Sequence, residues 1–151
     1  SCRFSSISNA YDLWNLMQCR LDTVVVVPAE RFRWEEIFDV FDQSAGKSVS
    51  KWGSFVSNLD LFDAAFFAIS PREATAMDPR CRMLLETAWE CVEDAGRDPL
   101  CIEESSSRPV GVYVGTWPSE YAERIRDENL IQFLGVGTAP SASAGRVSYF
   151  F

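Results

Sequence analysis

The chain has 151 residues, 47% of them hydrophobic and 13% aromatic, enough apolar side chain for one ordinary core and too much for a disordered segment. Its 22 acidic residues against 14 lysines and arginines give a net charge of −8, which argues against nucleic acid or an anionic membrane surface as partner. There is no histidine, so the commonest general base and the commonest metal ligand are both missing.

No apolar run approaches the ~20 residues of a membrane span, and the first residues lack a signal-peptide core. Five cysteines, an odd number with no Cys-x-x-Cys pair, read as reduced thiols of a cytoplasmic protein.

In chain order, Ala10, Leu13, Trp14, Met17 and Leu21 follow helical spacing, with Ser8 or Asn9 available as N-cap. Val24 to Val27 is a β-branched extended run ended by Pro28, read as buried or edge backbone without a functional role. Residues 30 to 60 are aromatic but irregular, with Phe32, Trp34, Phe38, Phe41, Trp52 and Phe55 read as packing before interface. Lys51 to Val56 has the pattern of a short strand or hairpin arm.

The clearest local structure lies between Phe62 and Gly96. Ser70-Pro71-Arg72-Glu73 has the form of a capping box, with Glu73 reaching back to the cap. Pro79 disfavours helical geometry at Asp78, so that first helix is short, and Asp78 becomes a second N-cap. Over residues 80–95, Cys81, Leu84, Leu85, Ala88, Trp89, Cys91, Val92 and Ala95 fall on one half of a helix. Arg80, Arg82 and the acids fall on the other, with Met83 the one apolar stray, and Gly96 supplies a left-handed end. Arginines in the first turn and acids in the last oppose the helix dipole. Either tertiary partners offset the misplacement or solvent screens it.

Beyond Gly96, Asp98-Pro99 opens a loop, and Glu103 to Arg108 is a polar, Ser-rich connection whose acids read as solvated. Val110 to Gly115 has the pattern of a strand covered on both faces, and Ser119 to about Asn129 that of a surface helix. Gly135-Val136-Gly137 superficially suggests a dinucleotide loop, but Pro140 replaces the third glycine and no strong strand leads into it. Cys81 and Cys91 read as buried thiols on the apolar helix face, without the neighbour that would stabilise a thiolate.

Several short segments in one order carry a resemblance: Phe62-Asp63-Ala64-Ala65-Phe66-Phe67, Ile69-Ser70-Pro71-Arg72-Glu73-Ala74, Met77-Asp78-Pro79, Leu84-Leu85-Glu86, Ala88-Trp89-Glu90 and Glu93-Asp94-Ala95-Gly96. They resemble the β-ketoacyl synthase domain, in the version found in modular polyketide synthases and animal-type fatty acid synthases. The resemblance implies an α/β, thiolase-like fold of layered αβαβα type, of which residues 1–151 form the N-terminal portion only. It also implies that the first strand, before Cys2-Arg3-Phe4, and the segment carrying the catalytic cysteine, beyond Phe151, are absent. A fragment of that kind is expected to expose apolar faces and unpaired strand edges.

By the same resemblance the reaction is a decarboxylative condensation of an acyl thioester with a malonyl-type extender, performed by one cysteine and two histidines. None of the three matches a residue of this chain, so no catalytic residue is carried over. Thr138 and Ala139, in the loop Gly137-Thr138-Ala139-Pro140, match the segment approaching the acyl tunnel near the homodimer interface. Small side chains there also suit close helix packing. Two departures from the family pattern stand out, Cys81 where glutamine is usual and Ser143 where an apolar residue or alanine is common.

No directly bound cofactor and no metal is expected. The implied substrate is an acyl group on phosphopantetheine of an acyl carrier protein. Expected partners are that carrier, other synthase domains and a second copy in a homodimer. The alternative function is a non-catalytic, thiolase-like remnant serving as a dimerisation or docking module, which the missing cysteine segment and histidines would suit.

Overall fold

A computed structural model of the chain describes residues 1–42, 44–102 and 110–151. The Ser-rich stretch from Glu103 to Arg108 therefore lies outside the described residues. The chain divides into two compact units, one of residues 2–57 and one of residues 58–151 together with Ser1.

In the first unit, α1 (Ala10–Cys19) starts where Asn9 accepts a hydrogen bond from the Asp12 backbone N–H at 2.8 Å. It ends at Arg20, whose left-handed backbone (φ 54°) turns its N–H back onto the last carbonyls. Strands β1 (Val25–Val26) and β2 (Trp52–Gly53) pair antiparallel, Val25 opposite Gly53 and Val26 opposite Trp52. The Val27 N–H extends the ribbon by donating to the Lys51 carbonyl at 2.9 Å. Both strands are short, as an edge ribbon requires, and Val27 is buried while Val24 to Val26 stay half exposed.

The aromatics of this unit pack only in part. Trp34, Phe38 and Trp52 gather around the Lys51 ammonium, which lies 4.8, 5.3 and 5.2 Å from the three ring centroids. Cation–π attraction to three rings, worth about 0.5–1 kcal/mol each when exposed, holds the group where no apolar core would. Phe41 remains 94% exposed.

The second unit is built on α2 (Pro71–Ala76) and α3 (Pro79–Asp94), each with a proline in its first turn and a polar N-cap before it. Ser70 accepts from the Glu73 N–H, but the reciprocal half of the capping box does not form. The Glu73 carboxylate instead pairs with Arg146 at 2.6 Å. A charge-assisted bond to a mostly buried guanidinium outweighs a bond to an exposed backbone N–H.

The α3 face is as expected at Cys81 and Leu85 and differs elsewhere. Arg82, on the polar half, is only 9% exposed, whereas Cys91 and Ala95, on the apolar half, are exposed. The core touches the first half of the helix, so angular position alone does not decide burial. Of the opposed end charges, Arg80 has a local partner, pairing with Asp78 at 2.9 Å.

Phe67, Met77, Cys81, Leu85 and Val147 form the buried cluster, with Met77 and Leu85 fully enclosed. Around it Phe62, Phe66, Phe67, Trp89, Phe150 and Phe151 make a continuous set of ring contacts. Phe66 meets Trp89 edge-on at 4.7 Å, and Phe67 meets Phe150 at 4.8 Å. Aromatic pairs add roughly 0.5–1.5 kcal/mol each beyond area burial, which ties the Phe62–Phe67 turn to the end of the chain.

Three expectations fail after Gly96, whose φ of 69° is left-handed as predicted. Val110 to Gly115 is extended but pairs with no strand among the described residues, because a strand exists only where a neighbour supplies its ladder bonds. Its alternation survives, with Val112 packed on the core and Tyr113 96% exposed. The surface helix of residues 119–129 is broken into α4 (Tyr121–Arg124) and a 3₁₀ turn (Glu128–Leu130). Asp127 caps that turn by accepting from the Asn129 N–H, a local bond that competes with helix continuation. The glycine stretch is no loop. It forms α5 (Ile131–Thr138), and α6 (Pro140–Phe150) follows after the single extended residue Ala139.

A Cβ on Gly137 would lie 2.5 Å from the Ala76 carbonyl oxygen and 3.3 Å from the Met77 Cα, so α5 crosses the α2–α3 junction in direct backbone contact. Gly137→Ala is expected to destabilise the chain by about 1–3 kcal/mol in urea denaturation, as overpacking against backbone does. A wild-type midpoint in that variant would show that α5 can slide away without loss.

Candidate functional site

Four helix ends meet at one place in the second unit: the C-terminus of α2, the N-terminus of α3, the C-terminus of α5 and the N-terminus of α6. The Met77-Asp78 step between α2 and α3 is buried, and the Asp78 N–H donates to the Gly137 carbonyl at 3.0 Å. Close approach at Gly137 and the single-residue α5–α6 link at Ala139 leave a small recess of about 10 Å³, room for about one water molecule, that opens to solvent. Its walls include Cys81, Gly137, Thr138, Ala139 and Ser143, with Asp78, Arg80 and Trp117 at the same cleft.

Asp78 is the electrostatic centre of this place. It is 7% exposed and caps α3 by accepting from the Arg80 N–H at 2.7 Å. Its carboxylate also takes the Arg80 guanidinium at 2.9 to 3.2 Å and the Ser119 hydroxyl. Burial raises the Asp78 pKa, but the hydrogen bonds from Arg80 and Ser119 together with the Arg80 charge outweigh it, and the net shift is downward. The carboxyl group therefore stays ionised at neutral pH. Arg80 spends its remaining bond on the Trp117 carbonyl at 3.1 Å, and the Ser119 oxygen accepts from the Tyr121 N–H at 3.0 Å. The segment 117–121 is thus fastened to the start of α3.

Thr138 and Ala139 both line the cleft and are half buried. The Thr138 hydroxyl donates to the Leu134 carbonyl one turn back at 2.8 Å, so it presents its methyl group and spends its proton within α5. Ala139 offers a methyl and an extended backbone. The two departures from the family pattern prove to be neighbours. Cys81 and Ser143 both line the cleft, and the Ser143 side chain acts to lower the Cys81 pKa.

Burial pushes the Cys81 thiol up, and the Ser143 bond and the Arg146 charge do not bring it back to its ordinary value. A thiol held protonated is a poor nucleophile. Cys91 is exposed rather than buried, and no cluster of metal-ligating side chains occurs among the described residues. The Gly135-Val136-Gly137 string lies inside α5, with its last carbonyl used by Asp78, which is no phosphate cradle.

A family model described as the N-terminal domain of β-ketoacyl synthase matches residues 1–151, the entire chain. The chain belongs to the β-ketoacyl synthase family. Among its relatives are a phenolphthiocerol/phthiocerol polyketide synthase subunit of Mycobacterium tuberculosis, 38% identical over 98% of this chain and 8% of that protein. The pikromycin polyketide synthase component PikAII of Streptomyces venezuelae is 40% identical over 99% of this chain and 4% of its own length. An oxazolomycin ketosynthase domain from Streptomyces albus has a TM-score of 0.81 at 30% identity, over 98% of this chain and 26% of that one. A bacillaene synthase ketosynthase from Bacillus subtilis, at 24% identity and TM-score 0.80, supports the fold alone.

The fold is thus thiolase-like, as ketosynthase domains are. This ketosynthase segment spans less than a tenth of the length of those polyketide synthases and about a quarter of the solved ketosynthase chain. No helix among its described residues is long and apolar enough to cross a membrane.

The Asp78 network of this β-ketoacyl synthase segment was legible only in part. Asp78 shows as a cap in the sequence, but positions two apart do not face each other on a helix, so its pairing with Arg80 is hidden. The pairing arises because Asp78 stands outside the helix and turns its carboxylate back over the first turn. Ser119, 41 positions away, gave no signal.

Asp78→Asn keeps the shape and removes the charge. It is expected to lose about 1–3 kcal/mol at neutral pH by chemical denaturation. Because the folded Asp78 pKa lies below its ordinary 3.8, the charge stabilises above that value and its contribution disappears as pH falls through the lower, folded one. The gap between wild type and Asp78→Asn should therefore close below pH ~4. A gap that persists there would assign the loss to packing.

Proposed function

We propose that this chain is part of a β-ketoacyl synthase that condenses an acyl thioester with a malonyl-type extender on an acyl carrier protein, in polyketide or fatty acid biosynthesis. The observation that carries the reading is the match of the family model along all 151 residues. Within that enzyme, the cleft at Thr138 and Ala139 forms a wall of the acyl tunnel beside the homodimer interface. The small side chains of Thr138, Ala139 and Ser143 support this, since an acyl chain asks for shape and close approach.

The reacting groups come from outside these residues. The reaction needs a thiolate to accept the acyl group, with loss of its previous thiol carrier. It then needs donors that stabilise the enolate left when the malonyl carboxylate departs as CO2 and the oxyanion formed when that enolate attacks the acyl carbonyl. The chain has no histidine, and its cleft cysteine is held protonated. The 151 residues therefore supply shape, and the acyltransferase chemistry belongs to the remainder of the enzyme. No cofactor is bound directly; the acyl group arrives on phosphopantetheine. The carrier protein, other synthase domains and a second copy are the partners of this reading, and the cytoplasm its location.

A second reading, a non-catalytic remnant that dimerises or docks, is favoured by the same lack of histidine and of a reactive thiol. Reading the coding sequence past Phe151 separates the two. A Thr-Ala-Cys segment followed by two histidine motifs means the enzyme, and a stop codon in a full transcript means the remnant.

Incubated with an acyl carrier protein bearing an acyl group, the 151-residue chain is expected to acquire no acyl adduct on any of its five cysteines by intact-mass and peptide mass spectrometry. An adduct on Cys81 would overturn the assignment of the chemistry to other residues.

A further inference from the structure

We propose that Arg82 anchors the rest of the enzyme by receiving a carboxylate from a part of the ketosynthase outside residues 1–151. The inference rests on the reading of this chain as part of a β-ketoacyl synthase and assigns the residue at which the remainder is held.

Arg82 stands in the first half of α3, one turn beyond Asp78, whose carbonyl accepts from its N–H at 3.3 Å. Helical spacing puts it on the polar half, where an arginine ordinarily reaches water. Here it is only 9% exposed. Among the described residues its Nε has no hydrogen-bond partner, and its guanidinium takes part in no ion pair. Arginine does not give up its proton in a protein, so a full positive charge is buried there unanswered. Such a charge is tolerated when paired and strongly unfavourable when alone.

The neighbouring arginines show the contrast. Arg80 binds the Asp78 carboxylate through Nε and one terminal nitrogen and gives the other to the Trp117 carbonyl. Arg146 also has an Nε without a partner, but Glu73 answers its charge at 2.6 Å. Scarcity of acids does not explain Arg82, because the chain has 22 of them against 14 lysines and arginines. None that is described is brought to it.

The chemistry of the partner follows from the guanidinium. Its planar fork matches the two oxygens of a carboxylate, and its charge asks for an opposite one, which a carbonyl or a water molecule lacks. The source follows from coverage and access. The chain spans 26% of the solved oxazolomycin ketosynthase, so most of such a domain consists of other residues. A group already nine-tenths covered leaves a narrow approach, which suits one acidic side chain on a segment that folds against α3 better than the broad face of a separate molecule.

The test compares Arg82→Met, which keeps the length of the side chain and removes its charge, in two proteins: the 151-residue chain and the intact ketosynthase domain that contains it. In the 151-residue chain the variant should lower the unfolding constant about fivefold or more in urea denaturation, because an unanswered charge has gone. In the intact domain the same variant should raise that constant about a hundredfold, because a carboxylate is then left alone. Arg82→Lys, which keeps the charge but loses the fork, should raise it about tenfold there. Arg33→Met, at an arginine whose side chain is 81% exposed, should change neither protein more than about twofold. A crystal structure of the intact domain decides independently of how the variants fold. It should show a carboxylate from outside these 151 residues within about 4 Å of the Arg82 guanidinium.

Stabilisation or no change in both proteins would overturn the proposal, as would a loss of stability or no change in the 151-residue chain. An acid of a second copy at Arg82, or only carbonyls and water there, would overturn the assignment to the same chain. A stop codon directly after Phe151 in a full transcript would overturn the enzyme reading and this inference with it, whereas the other outcomes overturn this inference alone.

Discussion

One buried carboxylate holds the second unit in register. Asp78 caps α3, binds Arg80, takes the Ser119 hydroxyl, and through its own N–H reaches the Gly137 carbonyl. Its bonds reach four parts of the chain: the α2–α3 junction, the first turn of α3, the segment 117–121 and the end of α5. A buried carboxylate is tolerable only when its lone pairs are filled, and here the backbone, a guanidinium and a hydroxyl fill them. The cleft exists because those partners are held apart at fixed distances around it. Glu73 and Arg146 join α2 to α6 with a 2.6 Å ion pair.

Binding shape and chemical reactivity are separated in this chain. Helix ends and small side chains make a recess beside the Asp78–Arg80 pair, while burial raises the pKa of the Cys81 thiol inside it.

Local signals survived the passage from sequence to structure, and pairwise ones did not. The caps at Asn9, Ser70 and Asp78, the proline-led starts of α2 and α3 and the left-handed Gly96 all depend on neighbours within four residues, and all appear. The Val110–Gly115 strand and the reciprocal bond of Glu73 depended on partners elsewhere, and distant partners decided them otherwise. Family motifs supplied Thr138 and Ala139, which the structure sets at the cleft. Trp117 and Ser119 carried no periodic or motif signal, because their contacts come from a backbone carbonyl brought to Arg80 and a hydroxyl brought to Asp78 from some forty residues away.

Gly135 and Gly137 look equivalent on paper, two letters of one short string. In the folded chain, nothing lies within 4 Å of where a Gly135 side chain would begin, while the same construction at Gly137 runs into the Ala76 carbonyl. A side chain at the first glycine meets nothing in these residues, whereas one at the second forces α5 away from the α2–α3 junction. Where such a string is read as a signature, its letters therefore carry unequal information, and the weight belongs to the one glycine whose missing side chain another backbone occupies.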